Sequence, residues 1–242
     1  MKEKLYTIPV NDAFSKDCEC PVCVMYRELE KAAIDYTMGP SYMEDDIRAM
    51  TDKAGFCEKH LKQMYANQNR LGLTLMLSTH MSKVIRDVET FQKGKKTAST
   101  GLFRKKDSSG GSLNAYLSHL SESCFVCDRI HQTFDRYLVT ILYLYKTESD
   151  FRETFRHSKG FCTSHYGMLY EMAPSQLSGS VLNDFLDDLN RLYLDNMKRV
   201  LEDLEWFRDK FDYRNADAPW KNSQDALPRS MIKTNSILPE EE

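Results

Sequence analysis

Residues 20–60 read CPVCVMYRELEKAAIDYTMGPSYMEDDIRAMTDKAGFCEKH. A C-x2-C pair, Cys20 and Cys23, opens the stretch, and a C-x2-H pair, Cys57 and His60, closes it. Between them Val24, Met25, Leu29, Ala32, Ala33 and Tyr36 recur at helical spacing, which predicts a helix over 24–37. Gly39-Pro40 breaks that helix, and Pro40 suits the first position of a second one. Tyr42, Met43, Ile47 and Met50 then predict a return helix over 41–53. Each leg is about 20 Å at ~1.5 Å rise per residue. Legs of near-equal length carry Cys57 back toward Cys23, so a metal ion would staple the open end of a helical hairpin.

The same pattern occurs twice. Cys20-Pro21-Val22-Cys23 recurs as Cys124-Phe125-Val126-Cys127, an offset of 104 residues. Gly55-Phe56-Cys57-Glu58-Lys59-His60 recurs as Gly160-Phe161-Cys162-Thr163-Ser164-His165, with Cys57 and Cys162 offset by 105. Two motifs in the same order at nearly the same offset indicate an internal duplication, with units near 14–92 and 118–211. The second hairpin is less even, a helix over 128–146 returning through a shorter one over 150–157. Long amphipathic helices follow the C-x2-H pairs, near 69–92 and over 181–211. Their lengths predict that they pack on one another in a bundle. On the second, Asp187–Arg191 and Asp195–Arg199 are spaced for ion pairs one turn apart. No period-two alternation appears, so the expected fold is all-α: two tandem repeats, each a helical hairpin plus a long helix, stapled by Cys3His metal sites. The domain reading is a first repeat over 1–92, a flexible basic linker over 93–112, a second repeat over 113–213 and an irregular tail over 214–242.

Two thiolates from a C-x2-C knuckle, with a third thiolate and an imidazole from one helical turn, make a closed tetrahedral shell suited to structural zinc. Soft sulfur donors exclude Mg²⁺ and Ca²⁺, which take oxygen. The candidate ligands are Cys20, Cys23, Cys57 and His60 in the first repeat and Cys124, Cys127, Cys162 and His165 in the second. Pairing across repeats, one C-x2-C with the other C-x2-H, satisfies the same chemistry and stays open. An iron–sulfur cluster is the alternative to zinc, with a His in place of one Cys. Cys18 has Glu122 as its counterpart in the repeat and is left out of the ligand set.

Composition narrows the function. The chain of 242 residues is 41% hydrophobic, an ordinary globular balance, and its net charge of -3 suits neither a dedicated nucleic-acid binder nor attraction to an anionic membrane surface. The N-terminal residues lack the apolar run of a signal peptide, and no apolar stretch is long enough to span a bilayer, so a cytoplasmic location is expected. Seven cysteines in a reducing compartment read as ligands before disulfides. His80 reads as a boundary histidine on an apolar stripe, and His119, His131 and His157 as surface residues. Met64, Met76, Met81 and Met168 read as core filler, and Tyr65 and Tyr170 as packing near the ligand sets. Lys93, Lys95, Lys96, Arg104, Lys105 and Lys106 form the basic cluster of the linker. No phosphate loop, G-x-S-x-G or H-E-x-x-H is present, and no acid–base pair stands out. The chain reads as a binding or regulatory module with a protein partner rather than an enzyme.

The tail runs Tyr213-Arg214, Ala218-Pro219-Trp220, then Asp225-Ala226-Leu227-Pro228-Arg229. Trp220 is the expected anchor of a segment wrapped on the helices. Together with the paired C-x2-C and G-F-C-x2-H motifs, this tail resembles a bacterial family of uncharacterised proteins, domain of unknown function 6062. The resemblance spans nearly the whole chain. It implies a bacterial cytosolic protein and carries no activity or substrate.

Overall fold

The computed structural model describes residues 4–97 and 112–237. Among them are eleven α-helices and no strand. The first five are α1 (Lys4–Ser15), α2 (Pro21–Met38), α3 (Asp45–Ala54), α4 (Glu58–Ala66) and α5 (Arg70–Thr97). After the undescribed stretch come α6 (Leu113–Glu122), α7 (Phe125–Thr147), α8 (Ser149–His157), α9 (Thr163–Gln176), α10 (Gly179–Asp209) and α11 (Ala226–Asn235). Short 3-10 turns occupy Pro40–Met43 and Tyr213–Asn215.

The apolar periodicity decides most of these elements, and the predicted helices at 24–37, 41–53, 69–92, 128–146, 150–157 and 181–211 all have counterparts. The return leg differs in detail. Pro40 opens a 3-10 turn, and α3 starts only at Asp45, where Asp45 and Asp46 complement the helix N-terminus. α5 continues through Thr97, so residues 93–97 of the expected linker are helical. Residues 98–111 of it, with Arg104, Lys105 and Lys106, lie outside the described residues, as do the final acidic residues.

The chain forms two compact units. One takes Met1–Glu28 and Thr133–Glu242, the other Leu29–Gln132. The first unit is built round an aromatic cluster. Phe155 lies 5.4 Å from both Phe161 and Phe185, Tyr145 4.9 Å from Phe185, and Phe14 5.0 Å from Phe151. Phe161, the Phe of the second G-F-C motif, is fully buried here, so the core itself fixes the start of that motif. Tyr145 donates to Asp188 at 2.6 Å, and Arg156 and Arg191 converge on the same carboxylate. Within this unit α10 packs on α9 and α11. The expected one-turn ion pairs are replaced: Arg191 reaches Asp188 and Arg199 reaches Glu19.

In the second unit α5 lies on α3, with Ile47, Met64, Leu73 and Met76 buried between helices. Asn69 donates to the carbonyl of Met38 at 2.8 Å, and the Arg129 guanidinium sits 3.5 Å over the Tyr36 ring. His80 bonds through Nδ1 to the carbonyl of Asp52 at 2.8 Å, the boundary role its position suggests. Met64 and Met76 are core residues, whereas Met81 and Met168 are exposed; Tyr65 and Tyr170 are exposed too, with the Arg70 guanidinium over the Tyr65 ring and Tyr170 against Tyr166.

The tail departs most from expectation. Its irregular part is tied down by Lys210, which donates to the carbonyls of Asn215, Ala216 and Ala218. Trp206 Nε1 donates to Pro219 at 3.0 Å, and Trp220 lies against Phe207. Beyond it the chain forms α11, whose Ala226 and Lys233 are buried.

Candidate metal centres

All four cysteine motifs sit at helix N-termini. Cys20 and Cys124 immediately precede α2 and α7, and the carbonyl of each accepts the first helical bond, from Val24 and Asp128. Cys57 and Cys162 are the N-caps of α4 and α9, with nearly identical backbone angles (φ -74, ψ 163 and φ -75, ψ 164). The exposed amides and the positive end of the macrodipole favour thiolate over thiol at such positions. The repeated glycine has a backbone reason. Gly55 and Gly160 have φ of 62° and 73°, a region L side chains avoid, and a Cβ on Gly160 would meet the Leu192 carbonyl oxygen at 2.8 Å.

The eight expected ligands are gathered into two groups, in exchanged pairs. Cys20 and Cys23 meet Cys162 and His165 in the first unit, and Cys124 and Cys127 meet Cys57 and His60 in the second. The hairpin staple, in which Cys57 returns to Cys23, does not form. Of the two pairings the chemistry left open, the fold adopts the crossed one.

Within each group the ligand atoms lie within 4.8 Å of one another. Cys23 and Cys162 sulfurs are 3.7 Å apart, and those of Cys57 and Cys127 3.9 Å. His165 Nδ1 lies 3.5, 3.4 and 3.1 Å from the sulfurs of Cys20, Cys23 and Cys162. His60 Nδ1 lies 3.3, 3.4 and 3.3 Å from those of Cys57, Cys124 and Cys127. A tetrahedral ion with sulfur at ~2.3 Å and nitrogen at ~2.0 Å requires S–S edges of about 3.8 Å and S–N edges of about 3.5 Å. The donor sets fit such an ion, and all seven cysteines are free of disulfides.

The protons these groups hold are arranged for displacement by a cation. Burial pushes Cys124 up, but hydrogen bonds from His60 and the amides of Cys57 and Cys127 bring it down to about 6. Burial disfavours the charged form of His60, yet Cys124 and Glu30 raise it to about 9. In the first unit the hydrogen bond to Cys162 pushes Cys23 up to about 12, while Cys162, receiving hydrogen bonds from Cys20 and Cys23, is held well below the usual thiol range. Cys124 and Cys162 are thus the sulfurs most disposed to be anionic, and metal binding releases protons from thiol ligands.

The surroundings of the two groups differ. His60 turns Nε2 to the Glu30 carboxylate at 3.1 Å, and Glu30 also accepts from Gln63. Burial opposes the Glu30 charge, but these bonds and Lys59 lower its pKa to about 2. In the second unit the C-x2-C knuckle is stitched to the G-F-C segment directly: Phe125 N–H donates to Gly55 at 3.0 Å and Ser123 to Ala54 at 2.7 Å. The first unit has Pro21 where Phe125 stands and so lacks that N–H, and it has Glu19 in place of Ser123. There Lys233 of α11 supplies the stitch, donating to the carbonyls of Glu19 at 2.7 Å and Lys159 at 2.5 Å. Ser236 adds a hydroxyl 3.0 Å from Cys162 Sγ. Glu30, Lys233 and Ser236 escape a search by ligand type. Glu30 alone left a signal, an acid three residues before Ala33 and four before Ile34 on the apolar stripe of α2.

Fold and donor sets together define an all-α protein with two Cys/His groups able to bind metal ions. No helix among the described residues is long and apolar enough to cross a membrane. The chain belongs to a family of unknown function, DUF6062, whose sequence profile matches residues 1–241. No curated protein and no solved structure matches it.

Proposed function

We propose that the protein is a zinc-stapled helical binding module that acts through a protein partner in the cytoplasm. The observation that carries this reading is the pair of Cys3His donor sets with single-ion edge lengths. Three thiolates and one imidazole fill a tetrahedral shell and leave no position for water or substrate, which marks a structural rather than a catalytic centre. The edges also favour one ion over an iron–sulfur cluster, whose own sulfides stand between its irons and spread the protein thiolates further apart. Partner binding is supported by the large apolar side chains left in solvent, Phe211 at 78% and Tyr213 at 86% exposed among them. A tandem duplication accounts for the crossed ligand pairs, since either C-x2-C complements either C-x2-H.

Elemental analysis of protein purified without oxygen tests the reading. Two zinc ions per chain and no visible absorbance are expected. Iron with matching sulfide and a brown colour, or no bound metal, would overturn it.

A further inference from the structure

The two centres have the same donors but not the same surroundings. In the first unit Cys20, Cys23, Cys162 and His165 are all buried. Lys233, itself 1% exposed, is clamped between the carbonyl of Glu19, next to Cys20, and that of Lys159, three residues before Cys162. Ser236 reaches Cys162 Sγ, and a thiolate there can only accept its hydroxyl proton. An ammonium nearby and a hydrogen bond on sulfur both draw electron density from a thiolate and lower its nucleophilicity. In the second unit His60 and Cys124 are buried, whereas Cys57 and Cys127 are only partly so. No ammonium is buried there beside the sulfurs among the described residues. Instead Glu30 holds His60 from behind, and a carboxylate on the far ring nitrogen makes the imidazole a stronger donor. A metal ion that receives more charge from its imidazole withdraws less from its thiolates.

We infer that the second-unit centre is a modification site, at which the metal-held thiolates of Cys57 and Cys127 react with soft carbon electrophiles while the first-unit centre stays closed. This inference rests on metal occupancy of both groups. The step is a displacement without electron transfer: the thiolate lone pair forms an S–C bond, and the leaving group departs with the electrons of the bond it breaks. The thioether product is neutral and a poor ligand, so the ion leaves with the remaining donors open. The two centres therefore divide the work. One holds the fold, and the other gives up its ion when its exposed edge is alkylated.

The metal-loaded chain is treated with iodoacetamide, labelled peptides are mapped over time, and released zinc is followed with a coloured chelator. Cys57 and Cys127 are expected to label on the order of tenfold faster than Cys20, Cys23 and Cys162, with one zinc released and one retained. Cys18 is not a ligand, and its label is resolved by its own peptide without zinc release. Equal rates at the two centres, faster labelling of the first, or retention of both ions with no ligand labelled would overturn the inference. A chain with no zinc before treatment would instead overturn the reading on which it rests.

Discussion

Glu30 and Asp188 show what a single buried carboxylate contributes in this fold. Glu30 fixes the ring of His60 by its Nε2, which leaves Nδ1 as the donor turned to the sulfurs. Glu30→Ala is expected to weaken metal binding at the second-unit centre by about 10–100-fold and to leave the first untouched. Competition with a chelator of known affinity measures both, and unchanged affinity would show that packing alone orients His60. Asp188 works away from either centre, accepting from Tyr145 and Arg156 at 2.6 Å each. Burial opposes its charge, but these partners lower its pKa below the ordinary 3.8. A carboxylate lowered in the folded state adds stability that is complete above its unfolded value and is lost as pH falls through the folded one. Asp188→Asn should therefore cost on the order of 1–3 kcal/mol near neutral pH. The gap to the parent protein should close as pH falls below that ordinary value. Urea titrations of both proteins across the acid range read this directly, since any acid loss of metal is common to the two. A gap that stays constant with pH would mean that the charge of Asp188 contributes nothing.

At the scale of elements, α11 completes the first-unit centre. Pro21 removes a backbone donor that the second unit uses, and the Lys233 side chain takes over the link between knuckle and G-F-C segment. Lys233 also lies 3.3 Å from the Glu19 carboxylate, which is itself buried and paired with Arg199 at 2.5 Å. Lys233→Met would leave Glu19 short of one partner in a dry site, a loss of about 3–5 kcal/mol by analogy with broken buried pairs. Adding Glu19→Gln should recover part of that loss. Denaturant unfolding of the single and double variants checks this, and purely additive losses would show that the two side chains do not act together. The need for α11 also explains why it was hard to read. Residues 226–235, ALPRSMIKTN, carry Pro228 and a stripe only two turns long, and their most buried side chain besides Ala226 is a lysine. Burial of a lysine follows from tertiary partners, which apolar periodicity does not report. α2, α5, α7 and α10 were legible because their apolar stripes run for several turns.

For the whole molecule, the eight Cys and His residues of the two groups were legible and their pairing was not. Cys, His and spacing single out all eight residues, but each motif occurs twice, so each C-x2-C fits either C-x2-H. Chain entropy does not choose either. The crossed arrangement joins Cys23 to Cys162 across 139 positions, against 34 from Cys23 to Cys57 within the repeat. That is about two doublings of loop length, which by loop-closure entropy costs only ~1.2 kcal/mol more. Packing can outweigh so small a term: Phe161, fully buried in the aromatic cluster of the first unit, carries Cys162 to α2. Paired substitutions distinguish the two arrangements by counting metal. Cys20→Ser with Cys162→Ser removes two donors from one crossed centre, and the folded chain should keep one zinc. Cys20→Ser with Cys57→Ser removes one donor from each centre and should weaken both, so that less than one zinc survives gel filtration in chelator. Pairing within repeats predicts the reverse, since Cys20 and Cys57 would then share a centre and one zinc would remain intact. Because each double variant lacks two thiols, the difference in zinc count reports which sulfurs share an ion rather than how many sulfurs are present.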